Sequence, residues 1–211
     1  LDAFEANYSQ NNKVWLNDGA GTFTATSQNM DSGYYSYDVD LADFDGDGDL
    51  DAFFANYHGQ NNRVWLNDGS GSFTHNQNLG NRYSYDVEVA DLDGDGDLDA
   101  FVANDQNQGN KVWLNNGSGS FTDSGQSLGS RYSRGIELAD LDGDGDLDAF
   151  VANDQNQGNK VWLNNGSGSF TDSNQSVGSR YSRGVELADV DGDGDLDAYV
   201  ANYQSQGNKV W

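Results

Sequence analysis

Four stretches of this chain concentrate the residues that can do chemistry. D-F-D-G-D-G-D-L-D begins at Asp43, D-L-D-G-D-G-D-L-D at Asp91 and again at Asp140, and D-V-D-G-D-G-D-L-D at Asp189. Each carries side-chain carboxylates at positions 1, 3, 5 and 9, a backbone carbonyl to offer at position 7, and a glycine at position 6, where a calcium loop turns sharply. Hard oxygen ligands in this number suit Ca²⁺ better than Mg²⁺, which keeps its waters. Five aspartates in nine residues repel one another, and a cation holds such a loop together. The spacing is not that of an EF-hand, which requires glutamate at position 12; here that position is Phe54, Val102, Val151 or Val200. Four sites of Ca²⁺ are expected.

The loops are punctuation in a longer repeat. They recur at 48, 49 and 49 residues, and Trp15, Trp65, Trp113, Trp162 and Trp211 keep the same period. Residues 86–134 and 135–183 differ at five of 49 positions. Each repeat holds four short β-type runs, exemplified by Ile136–Asp140, Leu147–Asn153, Lys160–Asn164 and a fourth opening at Ser169–Thr171. A Gly-rich N-N-G-S-G-S hairpin signal joins the third and fourth. No segment sustains a 3.6-residue apolar period, so helix is not expected.

Four antiparallel strands per 40–50 residues make a β-propeller blade, and radial packing buries both faces of each sheet. The expected fold is therefore all-β, a propeller with about 4.3 repeats in one domain spanning 1–211. It divides into a partial blade at 1–28, blades at about 29–79, 80–129 and 130–178, and a partial blade at 179–211. A β-solenoid is the runner-up. The first strand near Val185–Ala188 can complete the N-terminal sheet and close a four-bladed ring. Surplus strands at the two ends equally fit an excerpt of a longer ring, a five-bladed ring, or self-association through terminal strands.

The acidic pattern between two strands, followed by A-F/Y-x-A-N and W-L-N-x-G-x-G-x-F, resembles the FG-GAP/VCBS repeats, which are related to the integrin α-subunit propeller. The resemblance covers essentially the whole chain. It implies Ca²⁺ in the loops between strands one and two and an extracellular or cell-surface setting. The ligands it implies are Asp43, Asp45, Asp47, Asp49 and Asp51, then Asp91, Asp93, Asp95, Asp97 and Asp99. In the last two loops they are Asp140, Asp142, Asp144, Asp146 and Asp148, then Asp189, Asp191, Asp193, Asp195 and Asp197. The repeat is shorter than in integrins, and the Phe-Gly/Gly-Ala-Pro signature is not intact.

Composition narrows the function. Ten Lys+Arg against 35 Asp+Glu give a net charge of −25, which argues against nucleic acid and anionic membranes as partners. No run of 18 apolar residues is present, so no membrane insertion is expected. Without cysteine there is no disulfide or thiolate chemistry. All ten basic residues are expected near the end opposite the acidic loops. Lys13, Arg63, Lys111, Lys160 and Lys209 open third strands, and Arg82, Arg131, Arg134, Arg180 and Arg183 lie in connections between blades.

Together with Tyr83, Tyr132 and Tyr181 and amide-rich loops such as N-D-Q-N-Q-G-N, these arginines outline a ligand face suited to glycans or acidic polymers. Near-identical blades repeat the same residues instead of assembling distinct catalytic roles, so the chain is not read as an enzyme. The leading expectation is a calcium-binding structural or adhesive module, with glycans or extracellular proteins as partners. The alternatives are a multivalent lectin and the scaffold of a polysaccharide lyase or hydrolase.

Overall fold

A computed structural model describes residues 2–211. It is all-β, and every strand pairing among the described residues is antiparallel, which excludes the parallel coils of a β-solenoid. The first sheet holds β1 (Ala3–Glu5), β2 (Lys13–Asn17) and β3 (Phe23–Ala25). The second holds β4 (Ser36–Ala42), β5 (Asp51–Asn56), β6 (Gln60–Asn67) and β7 (Phe73–Arg82). The third holds β8 (Ser84–Ala90), β9 (Asp99–Asn104), β10 (Gln108–Asn115), β11 (Phe121–Asp123) and β12 (Leu128–Arg131). The fourth holds β13 (Ser133–Ala139), β14 (Asp148–Asn153), β15 (Gln157–Leu163), β16 (Thr171–Asp172) and β17 (Val177–Arg180). The last holds β18 (Ser182–Ala188), β19 (Asp197–Asn202) and β20 (Lys209–Val210).

Each sheet is a meander, and the first strands β4, β8, β13 and β18 lie side by side from sheet to sheet. The second strands are buried on both faces because a neighbouring sheet covers each side. Phe53 packs forward with Val102 and Phe121, while Phe54 packs backward with Val14 and Met30. The same alternation sends Phe101 forward and Val102 backward in the next sheet. Trp65, Trp113 and Trp162 belong to these inter-sheet cores, as their alternation with Val and Leu predicts.

Three sequence expectations need correction. The fourth strand is longer than its S-F-T opening. It runs unbroken through β7 in the 48-residue repeat, but in the 49-residue repeats one extra residue splits it into β11/β12 and β16/β17. That residue falls at a left-handed kink, Gly125 (φ 82°) or Asn174 (φ 64°), the geometry of an inserted residue that local pairing cannot absorb. Consequently Arg82, Arg131 and Arg180 end fourth strands, and Arg134 and Arg183 sit inside first strands; only Tyr83, Tyr132 and Tyr181 remain as connections. Finally, Val185–Ala188 does not complete the N-terminal sheet. β18 pairs with β19 from Ser182↔Asn202 to Ala188↔Asp197, and the first sheet stays three-stranded. The reason is local: the acidic loop ties those two strands together at seven-residue range, so the short hairpin forms ahead of a long-range closure.

Candidate metal centres and the opposite end

The acidic loops connect first strand to second in sheets two to five. In each, one oxygen from positions 1, 3 and 9 converges with the others within 4.8 Å: Asp43, Asp45 and Asp51; Asp91, Asp93 and Asp99; Asp140, Asp142 and Asp148; Asp189, Asp191 and Asp197. The loop backbone builds this convergence. Asp43 Oδ1 accepts from Gly46 N–H at 2.8 Å and its Oδ2 from Gly48 N–H at 3.0 Å. Both glycines are left-handed, with φ of 77° and 94°, a region that side-chain-bearing residues adopt only at a cost. The other three loops repeat both contacts.

Position 9 anchors the loop to the sheet. Asp51 is fully buried; its Oδ2 accepts from Phe44 N–H at 2.9 Å and its Oδ1 from Asn67 N–H at 2.8 Å. Asp99 and Asp148 repeat the arrangement. Burial raises the carboxyls of Asp51, Asp99 and Asp148 above their ordinary range, Asp99 to about 6. Each such oxygen keeps a second lone pair for a cation. No salt bridge among the described residues reaches any of the four triads, so no side-chain cation already neutralises them. The donor set is all-oxygen and anionic, and it fits a hard divalent cation.

The remaining two aspartates of each loop lie outside the 4.8 Å triad but beside it, as Asp95 does next to Asp93. Position 5 accepts from the backbone of position 7, as in Asp47 Oδ1 with Asp49 N–H at 2.9 Å. The position 7 carboxylates of Asp49, Asp97 and Asp146 press against Gly69, Gly117 and Gly166 of the neighbouring third-to-fourth hairpins. Those hairpins are set by their own side chains: Asn116 Oδ1 accepts from Ser118 N–H at 3.1 Å and from its hydroxyl at 2.7 Å, and Asn165 does the same for Ser167.

The opposite end of the sheets is organised differently from the expected ligand face. Residues at one register of the first strands (Tyr37, Tyr85, Arg134, Arg183) interleave with residues closing the second strands (Tyr8, Tyr57, Asp105, Asp154, Tyr203). Tyr37 meets Tyr8, Tyr57 and Tyr85 at ring distances of 5.6, 4.9 and 4.5 Å. Arg134 lies 4.2 Å over the Tyr85 ring, 2.9 Å from Asp105 and 3.4 Å from Asp154. Arg183 lies 3.2 Å from Asp154 and 4.9 Å over Tyr203. Tyr57 donates its hydroxyl to Asp105 Oδ2 at 2.6 Å, and burial with that bond pushes its pKa up to about 12.

Arg134 and Arg183 are thus committed to internal pairs, while Arg82, Arg131 and Arg180 are half-buried at fourth-strand ends. Tyr83, Tyr132 and Tyr181 work through their backbones. Each N–H donates to a glutamine (Gln108, Gln157, Gln206) and each carbonyl accepts from the residue closing the second strand. Lys111 and Lys160 are buried beside Asp123 and Asp172.

The amide-rich hairpins hide a feature that sequence reasoning missed. Asn104 N–H donates to Asn110 Oδ1 at 2.9 Å, Asn104 Nδ2 to Gly109 O at 2.9 Å, and Ser84 Oγ to Asn104 Oδ1 at 2.9 Å. All three side chains are buried, and the set recurs at Ser36/Asn56/Asn62, Ser133/Asn153/Asn159 and Ser182/Asn202/Asn208. Its trace in the sequence is an Asn pair six residues apart after each of the four acidic loops, and five apart at Asn7 and Asn12.

These sheets and loops define a tandem β-repeat with one acidic triad per repeat. The chain belongs to the FG-GAP-like repeat family, whose model matches residues 1–54, 43–102, 91–151 and 140–200. No curated protein matches the sequence. Among solved structures, the V. cholerae biofilm matrix protein Bap1 is similar at 19% identity over 93% of this chain, with a TM-score of 0.49. The Photorhabdus luminescens Tc holotoxin pore is similar at 14% identity over 100% of this chain, with a TM-score of 0.36. The chain spans 32% and 14% of the lengths of those two proteins.

Proposed function

We propose that this chain is a non-catalytic, calcium-dependent structural module, an extracellular scaffold or adhesive segment whose sheets are blades of a β-propeller. The observation that carries the reading is the fourfold recurrence of a converging Asp triad at the link between first and second strands. A Ca²⁺ there neutralises the loop and fastens two strands through the buried position 9 aspartate. The side-by-side first strands and the cores between successive sheets support radial blades. An extracellular setting supplies the calcium that such loops need; weak extracellular sites work at high free calcium.

At calcium 100-fold above Kd each site adds about 2.7 kcal/mol, so four sites rival the whole stability of a typical domain. Calorimetric titration with calcium is expected to give four sites, and chelation to lower the melting temperature sharply. An unchanged melt in chelator would sink the mechanism. The lectin reading has less support, because Arg134 and Arg183 are held by Asp105 and Asp154.

A further inference from the structure

In the first two acidic loops the residue at position 2 is bonded on both sides. Phe44, between the triad aspartates Asp43 and Asp45, donates its N–H to Asp51 Oδ2 of its own loop at 2.9 Å. Its carbonyl accepts from the next sheet, from Asn115 Nδ2 at 2.9 Å and Gly119 N–H at 2.7 Å. Asn115 is buried, and its own N–H donates to Asp99 Oδ1 at 2.8 Å. Asp99 holds position 9 of the following acidic loop. One asparagine therefore bonds two successive loops, its side chain reaching back to the preceding one while its backbone holds the aspartate of its own sheet.

The next junction repeats the arrangement. Leu92 N–H donates to Asp99 Oδ2 at 3.0 Å, and Leu92 O accepts from Asn164 Nδ2 at 2.9 Å and Gly168 N–H at 2.8 Å. Asn164, equally buried, donates its N–H to Asp148 Oδ1 at 2.8 Å. Both amides are held the same way round, because Asn115 Oδ1 accepts from Asn116 N–H and Asn164 Oδ1 from Asn165 N–H, each at 2.9 Å. The bonds thus run without a gap from Asp51 through Phe44 and Asn115 to Asp99, and on through Leu92 and Asn164 to Asp148. All three aspartates are fully buried members of their triads.

We infer that Asn115 and Asn164 are positioning residues shared between successive metal sites, so that the loops opening at Asp43, Asp91 and Asp140 bind calcium cooperatively. This rests on the reading of those loops as calcium sites. A loaded loop holds its position 9 aspartate still, which steadies the asparagine N–H, then its amide, then the carbonyl lying between two ligands of the preceding loop. That neighbour is ordered at lower entropic cost, and the effect is reciprocal. Charge does not produce it. A middle loop emptied by removing a carboxylate or two is no less negative than a loaded one, so electrostatics alone gives its neighbours no loss of affinity.

The test is a calcium titration of the full chain followed by NMR at Gly46, Gly94, Gly143 and Gly192, whose N–H groups bond the first aspartate of each loop. Asp93→Asn is expected to abolish the response at Gly94 and to weaken the loops read by Gly46 and Gly143 at least about fivefold, with Gly192 unaffected. If Gly94 still responds, Asp91→Asn is added before the flanking loops are read. In an Asn115→Ala background, which keeps the N–H bond to Asp99, emptying the middle loop should no longer affect Gly46 yet should still weaken Gly143. Asn164→Ala should give the reverse pattern, and it carries the test if the first variant does not fold. An asparagine with a merely structural role would leave the effect of Asp93→Asn in place at both glycines. Affinities at Gly46 and Gly143 that hold or tighten when the middle loop is emptied overturn the inference and leave the calcium reading standing. No calcium response at any of the four glycines overturns both.

Discussion

Asn110 shows how much of each sheet depends on a few buried side chains. Its Oδ1 is the acceptor for Asn104 N–H at a place shut off from water. Asn110→Ala leaves that donor unpaired, at a cost of about 1–3 kcal/mol, whereas Asn110→Asp keeps the acceptor oxygen. Chemical denaturation of the two variants should rank them in that order, and equal losses would show that the hydrogen bond is not the cause. Asp99 is the matching residue at the acidic end, where its two oxygens hold Leu92 and Asn115 N–H groups. Asp99→Asn is expected to remove one calcium site of four and also to lower stability in chelator, because an amide cannot accept at both ends. A four-site titration of this variant would place the metal elsewhere in the loop. The triads themselves were legible because carboxylate spacing is written in the sequence. The Asn–Ser sets leave a recurring Asn pair in the sequence, but not their burial, because amides in a polar hairpin look the same whether they face water or the sheet.

Strands carry the next layer of explanation, and the first strands the most charge. Each leaves one edge toward its neighbour, and carboxylates fill the gap. Asp38 and Asp40 accept from Val87 and Val89 N–H at 3.1 and 3.0 Å, and Asp86 accepts from Ile136 N–H at 2.7 Å. At the corresponding position of the last two sheets the residues are Gly135 and Gly184, and the backbones close up instead: a Cβ on Gly135 would lie 3.0 Å from Gly184 Cα. Within this column burial, then the charges of Asp40, Glu137, Asp38 and Glu186, pushes Glu88 up to about 8 from an ordinary 4.5. A carboxyl with a raised folded pKa binds its proton more tightly folded than unfolded. Its contribution therefore favours folding at low pH and declines as pH rises from about 4.5 to about 8. Glu88→Gln should melt higher than wild type at pH 8, with the difference vanishing toward pH 4.5. A difference constant across that range would rule out the titration. Strand existence was readable from period-two runs and hairpin signals. The break in the fourth strand followed from one extra residue per repeat, visible as 49 against 48 yet silent about where the kink falls.

At the scale of the molecule the sheets form a one-dimensional series, each packed on its neighbours in sequence. The repeat period made that order legible. The interleaved tyrosines, arginines and aspartates at the end away from the acidic loops were not, because each partner comes from a different repeat. Their pairing follows from the register of first and second strands in neighbouring sheets. Stability in such a series sums contributions from units and from the interfaces between them. The inner second strands β5, β9 and β14 are buried at all six residues, whereas β19 and β1 are partly open and Trp211 is 49% exposed. A sheet covered on one side has one interface where an inner sheet has two. Opening should therefore begin at β1–β3 and β18–β20 and reach the three inner sheets last. Hydrogen exchange in calcium should find the slowest amides in β5, β9 and β14. At low protein concentration chelation should speed exchange first in the last sheet, which has an acidic loop and one covering neighbour. The first sheet has no complete acidic loop among the described residues, so its rates should respond least directly. Uniform protection from β1 to β20 would mean that the repeats melt as one unit, with interface terms large enough to override position in the series.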